Sequence, residues 1–146
     1  MSTHSLIHGR RILLVDDDPL ILELSEDRLL RAGAIVFSAI GIQLALELAR
    51  AEQPEFILLD LTIGDSVVTP DLVGELQACL HVEGRRTILH SAVSATELYR
   101  QAHALCALGA IQKTGDERIF LHRMQRLLEL SQAITHGATD RPSVPY

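Results

Sequence analysis

The sequence predicts an α/β fold built on a parallel sheet. Five short apolar runs alternate with five stretches of helical periodicity, and several of the runs stop abruptly at a polar or charged residue. Continuous apolar runs are what strands buried on both faces look like, and their alternation with helices is the signature of a parallel sheet. The 146 residues suffice for one domain with a sizeable core, and 47% hydrophobic with 22% charged residues fits a folded chain. With three Phe, two Tyr and no Trp, that core must be aliphatic.

Residues 1–9 read as a short polar leader. Arg11 opens the first strand, whose run Ile12-Leu13-Leu14-Val15 ends in Asp16, Asp17 and Asp18. Asp18-Pro19 has the form of a helix cap and first helical residue. A helix is expected over Pro19–Ala32, with Ile21, Leu24, Leu29 and Ala32 inward and Gly33 ending it. Residues 34–39 (AIVFSA) form the second strand; Ile42, Ala45, Leu46 and Ala49 mark the second helix, and Pro54 follows its stop. Residues 55–61 (EFILLDL) form the third strand, again closing on an acid, Asp60.

Residues 62–69 read as loop, and Thr69-Pro70 as the start of a third helix with Leu72, Leu76, Cys79 and Leu80 inward and Gly84 after it. Residues 86–92 (RTILHSA) form the fourth strand, with Ser91 near its end. Ser94 to Glu97 fits a capping box, opening a fourth helix with Ala95, Leu98, Ala102 and Leu105 inward and Tyr99, Arg100 and His103 outward. After Gly109 comes a short fifth strand, Ala110–Lys113. Thr114 to Glu117 offers a second capping box, and the last helix runs to about Gln132 with Phe120, Met124, Leu127 and Leu128 inward. A polar tail with Gly137, Pro142 and Pro145 follows.

Several function classes are disfavoured. A net charge of −6 without any dense Lys/Arg run argues against a nucleic-acid surface. No apolar stretch is long enough for a bilayer and no signal-peptide core is visible, so a cytoplasmic protein is expected. Cys79 and Cys106 lack metal-type spacing and read as small buried residues. The histidines His81, His90, His103 and His122 show no zinc-ligand spacing.

In parallel sheets the site lies beyond the carboxyl ends of the strands. Asp16 and Asp17 stand at the end of the first strand, Asp60 of the third, Ser91 of the fourth and Lys113 of the fifth. Each has a bland reading: acids in a solvated turn, a loop-capping Asp, a common strand-end Ser, a solvated Lys. Their joint placement is specific. Adjacent carboxylates repel and favour either a proton or a hard cation such as Mg²⁺. Three carboxylates and one ammonium around a crevice fit a metal plus a transferred anionic group. Asp60 would be the nucleophile, Asp16 and Asp17 would hold Mg²⁺, Lys113 would supply a point charge, and the Ser91 hydroxyl a hydrogen bond.

The segments VDDDP, FILLDL, ILHSA and IQKT, in that order and at those separations, resemble a receiver domain of a two-component response regulator, CheY-like, over roughly Arg11 to Leu130. The resemblance implies a doubly wound, flavodoxin-like sheet of five strands in the order 2-1-3-4-5 with five helices. It implies a receiver domain over residues 10–132, flanked by flexible termini at 1–9 and 133–146. Asp60 would be the phosphoacceptor, Ser91 the switch hydroxyl and Lys113 the receiver lysine, with Mg²⁺ held by Asp16, Asp17 and Asp60. The implied partners are a sensor histidine kinase or histidine phosphotransfer protein and a target protein, with a homodimer as an option. Such a chain catalyses only its own phosphorylation and dephosphorylation.

Three departures bear on output. Thr114 stands where receivers usually carry proline, Gly64 lies in a loop after Asp60 that reads as longer than usual, and Ala110 replaces the customary aromatic ring three residues before the lysine. With no ring to rotate, the face carrying Tyr99, Arg100 and His103 is expected to respond weakly or by another route. The tail, rather than a second periodic segment, favours a single-domain regulator over a piece of a longer chain. A pseudo-receiver that binds partners without phosphorylation is the main alternative, favoured by Thr114 and Ala110 and opposed by the complete set of site residues. An aspartate-nucleophile phosphatase ranks last, because Thr62 occupies the place of the second acid that it needs.

Overall fold

The structure, a computed structural model, describes residues 6–137. In chain order the elements are β1 (Arg11–Val15), α1 (Pro19–Arg31), β2 (Ile35–Ala39), α2 (Ile42–Glu52), β3 (Phe56–Asp60), β4 (Thr62–Ile63), β5 (Ser66–Val67), α3 (Pro70–Ala78), β6 (Thr87–Ser91), α4 (Ala95–Ala104), β7 (Gly109–Gln112) and α5 (Glu117–Gly137). The main sheet is parallel throughout, in the order β2-β1-β3-β6-β7. Counting only its own strands, this is the expected flavodoxin-like order 2-1-3-4-5.

The apolar runs are continuous because both faces of the sheet are covered. Alternate side chains of a strand point to opposite faces, so Leu13, Val15, Ile57, Leu59 and Leu89 pack under α2, α3 and α4. Ile12, Leu14, Leu58, Ile88 and Ile111 pack under α1 and α5, against Phe120, Met124 and Leu128. Each fully buried aliphatic side chain contributes roughly 1.5–3 kcal/mol. Shifting a strand by one residue would exchange the two cores, which locks the register and so fixes where each strand ends.

Helix α1 turns a different side inward from the one its hydropathy suggests. Leu22, Ser25, Arg28 and Leu29 are buried, whereas Leu24 is 40% exposed and Ile21 half-buried. Apolar residues at 20, 21, 22, 24, 29 and 30 surround this helix. Its phase is therefore set by what it packs on, and the Arg28 guanidinium lies over the Phe120 ring of α5, 5.5 Å from its centre. Helices α3 and α4 depart less: Val73 and Leu76 are the buried pair of α3, with Leu72 and Cys79 half-buried. Ala95, at the first position of α4, is exposed.

The helix ends follow capping chemistry. The Asp18 carboxylate accepts from Leu20 N–H, and Ser94 Oγ accepts from Glu97 N–H at 3.3 Å. Asp116, not Thr114, caps α5, its Oδ1 accepting from Arg118 N–H at 2.9 Å and Ile119 N–H at 3.3 Å. Gly33, at φ +91°, ends α1 in a Schellman motif, with Ala34 N–H donating to Leu29 O and Gly33 N–H to Leu30 O. Cys106 does the same for α4 at φ +56°, so it is exposed, and Cys79 is half-buried, contrary to the expectation that both are buried.

Residues 62–69 are more than loop: β4 and β5 form a small antiparallel hairpin. Leu6–Gly9, read as leader, belong to the fold, since Ile7 is fully buried and Gly9 N–H donates to Gly33 O at 2.8 Å. Helix α5 continues past Gln132 to Gly137. Residues 1–5 and 138–146, the remainder of the expected termini, lie outside the described residues.

Candidate functional site

The parallel register places the polar residues on adjoining levels. Val15 pairs with Leu59, Asp60 with His90, and Ser91 with Gln112. Asp16 and Asp60 therefore leave neighbouring strands at the same level, Ser91 stands one residue further out, and Lys113 follows Gln112. The separations in sequence are large, and the sheet closes them.

Asp16, Asp17 and Asp60 each offer a carboxylate oxygen within 4.8 Å of the other two. Lys113 Nζ lies 2.9 Å from Asp16 Oδ2 and 3.3 Å from Asp60 Oδ2. Asp16 is 4% exposed, and its Oδ1 accepts from Asp18 N–H at 2.9 Å. Asp17 is exposed, and its Oδ2 accepts from Gly64 N–H at 2.8 Å, tying the hairpin tip to the acidic pair. Asp60 is 8% exposed, and its Oδ1 takes a long hydrogen bond, 3.4 Å, from Thr62 N–H. Backbone N–H of Lys113 donates to Ser91 O at 2.8 Å, joining the last two strand ends. Ser91 Oγ accepts from Val93 N–H at 3.4 Å. Among the described residues no hydrogen bond joins that hydroxyl to Asp60 or Lys113. The Asp18 side chain serves the helix cap, and only its backbone N–H reaches the site, at Asp16.

The electrostatics leave an unmet demand for positive charge. Burial raises the Asp60 carboxyl above its ordinary range, the Asp16 charge adds to the rise, and Lys113 and Thr62 N–H oppose it. Burial works against the Lys113 ammonium, but Asp16 and Asp60 outweigh it and hold its pKa above the ordinary value. One ammonium faces three carboxylates. Asp16 Oδ2 is buried, and the Lys113 ammonium pairs with it at 2.9 Å. This donor set fits a hard divalent cation: all ligands are oxygen, and they span little more than the roughly 4 Å across an octahedral Mg²⁺.

Two buried polar residues stand beside this site that the sequence does not single out as part of it. Arg28 is 3% exposed, and its Nη1 donates to Thr114 O, the carbonyl following Lys113, at 2.9 Å. His90 is 5% exposed, with its ring 5.6 Å from that of Phe120. Burial, then the charges of Lys113 and Arg28, push the His90 imidazole down to about 3. The signal for Arg28 was its position three residues beyond Ser25 and six beyond Leu22, which becomes visible only once the phase of α1 is known.

On the edge of the sheet, small residues open a groove of about 500 Å³ between α4 and α5, lined by Tyr99, Ala102, His103, Ala110, Arg123 and Leu127 among others. A Cβ on Gly109 would meet Leu127 Cδ2 at 2.5 Å, so a larger residue there would make the Leu127 side chain shift.

No protein-family model matches the chain, and no curated protein matches it. Its structure is similar to that of the chemotaxis response regulator CheY4 of Vibrio cholerae, at 21% identity, a TM-score of 0.69 and coverage of 82% of this chain and 98% of that one. The BeF3-activated N-terminal receiver domain of RstA from Klebsiella pneumoniae aligns at 22% identity and a TM-score of 0.67, covering 80% of this chain and 97% of that one. NtrX from Brucella abortus, a structure in complex with ATP, aligns at 24% identity and a TM-score of 0.74, covering 93% of this chain and 30% of NtrX. Each likeness spans most of the chain and follows the five-stranded sheet, so this chain has the fold of CheY-like response-regulator receiver domains.

Proposed function

We propose that this chain is a phosphoacceptor of a two-component or phosphorelay system, taking a phosphoryl group on Asp60 in a Mg²⁺-dependent reaction. The observation that carries the reading is the meeting of Asp16, Asp17 and Asp60 within 4.8 Å at the carboxyl end of the sheet, with the Lys113 ammonium on two of them. The donor would be a phosphohistidine of a sensor histidine kinase or a histidine phosphotransfer protein.

A carboxylate oxygen of Asp60 attacks phosphorus, and the O–P bond forms as the N–P bond of the phosphohistidine breaks, leaving its electron pair on the imidazole nitrogen. Asp60 attacks as the anion, so no general base is needed. Asp16, Asp17 and Asp60 would hold Mg²⁺, which when bound neutralises charge on the phosphoryl oxygens. Lys113, already poised on Asp60, supplies a second positive charge to those oxygens. Ser91 Oγ accepts from Val93 N–H, so its own hydrogen is available to a phosphoryl oxygen. Nothing in this set turns over an external substrate, and output would pass by protein–protein contact.

The test is intact mass after incubation with a small-molecule phosphodonor, with and without Mg²⁺, for the wild type and Asp60→Asn. The expected result is a gain of one phosphoryl group that requires Mg²⁺ and is lost in the variant. A folded wild type that gains none would favour the pseudo-receiver, whose site residues serve only as scaffold.

A further inference from the structure

We propose that Arg28 is a positioning residue for Lys113, acting through the carbonyl of Thr114. The inference rests on the role given to Lys113 above.

Arg28 is an anomaly in the fold. Its guanidinium is buried, 3% exposed, and no carboxylate pairs with it among the described residues. Its Nε has no hydrogen-bond partner, and the cation lies 5.5 Å from the centre of the Phe120 ring. Burying an unpaired charge costs stability, and an apolar side chain of similar length would fill the space without that cost. What the guanidinium does supply is one strong contact, Nη1 to Thr114 O at 2.9 Å, between residues 86 apart in sequence.

That carbonyl belongs to a loop with little else to hold it. Thr114 lacks the ring by which a proline would fix φ, and Gly115 is the least restricted residue type. Lys113 N–H is bonded to Ser91 O on the sheet side, and Asp116 N–H to Thr114 Oγ1 within the loop itself. Arg28 is the tie from the loop to α1, the helix that begins directly after the acidic residues. Between α1 and the loop lies a cleft of about 240 Å³, lined by Ser25, Arg28, His90, Lys113 and Thr114 among others, into which the loop has room to shift. The peptide that Arg28 holds is the one joining Thr114 to Gly115, one residue beyond the lysine. Together with the Lys113 N–H bond to Ser91 O, it brackets the lysine, whose Nζ must stand over Asp16 and Asp60. A misplacement of 1 Å at a reacting site can cost on the order of a hundredfold in rate.

The experiment compares wild type, Arg28→Met and Arg28→Lys, alone and with Lys113→Ala. Hydrogen exchange is read at the amides of residues 114–116, and phosphorylation by acetyl phosphate with Mg²⁺ is followed by intact mass. In Arg28→Met, loop exchange should rise about tenfold with a melting temperature at or above the wild type. The saturated phosphorylation rate should fall about tenfold or more, with the half-saturating donor concentration unchanged. Arg28→Lys should recover part of both effects. In the Lys113→Ala background, Arg28→Met should cause no further loss of rate, because its effect passes through the lysine. Unchanged loop exchange overturns the proposal, as does a loosened loop with an unchanged rate, or an equal loss without Lys113. If Arg28→Met does not fold, the exchange in Arg28→Lys decides, and wild-type protection there overturns the proposal. A wild type that takes no phosphoryl group overturns the Asp60 reading instead, and loop exchange then judges the Arg28 contact by itself.

Discussion

His90, one residue before the end of β6 and paired with Asp60, lies near Phe120 and two cations, and the fold holds it neutral. With a folded pKa of about 3 against an ordinary 6.5, the unfolded chain binds a proton in that window that the folded chain does not. Stability is therefore full above pH 6.5 and falls as pH drops through 6.5 towards 3, with a slope approaching 1.4 kcal/mol per pH unit, roughly. Urea unfolding should show the wild type losing about 2 kcal/mol more than His90→Leu between pH 7 and pH 5. Equal losses would mean that the imidazole is protonated in the fold. At this scale the sequence was legible where chemistry and position coincide. Asp16, Asp17, Asp60, Ser91 and Lys113 each follow an apolar run, and a strand end announces itself by the polar residue that stops it. Arg28 and His90 carried no such mark. An arginine in an amphipathic helix and a histidine in an apolar run both gain their meaning from Phe120, which lies far along the chain.

The elements were legible in existence and order, less so in rotation and at their ends. The two faces of the sheet demand apolar residues at every strand position, which makes strands easy to find in sequence. Helix α1 is harder, because apolar residues surround it and the buried side includes Ser25 and Arg28. The structure makes a sharp distinction between its leucines. Leu22 is 7% exposed and packs in the core beneath α1 and α5, whereas Leu24 is 40% exposed. Leu22→Ala should cost about 2–5 kcal/mol in urea unfolding, and Leu24→Ala less than about 1 kcal/mol. The reverse ranking would restore the phase that hydropathy suggests and would remove Arg28 from the loop after Lys113. The β4–β5 hairpin was illegible for another reason: its strands are two residues each, too short for periodicity. It nevertheless matters to the site, since its tip donates Gly64 N–H to Asp17.

In the whole molecule, the sheet order gathers groups from four strand ends onto one edge, while α4, β7 and α5 form a separate face around Ala110. The groove there carries the small side chain of Ala110 in its wall, with Tyr99 of α4 also lining it. If a ring at this position transmits the state of Asp60, the wild type should transmit weakly. Phosphorylation should then change amide exchange across α4 by less than about twofold, and Ala110→Tyr should enlarge that change. An α4 response already as large in the wild type would show that backbone shifts around Ser91 and Ala92 suffice. All of this depends on which carboxylate receives the phosphoryl group. The most direct measurement is borohydride reduction of the phosphodonor-treated chain followed by peptide mapping by mass spectrometry, since reduction marks an acyl phosphate at the residue that carries it. The mark is expected on Asp60 alone, and only when Mg²⁺ was present. A mark on Asp16, Asp17 or any other residue, or none on a folded and Mg²⁺-treated chain, would contradict it.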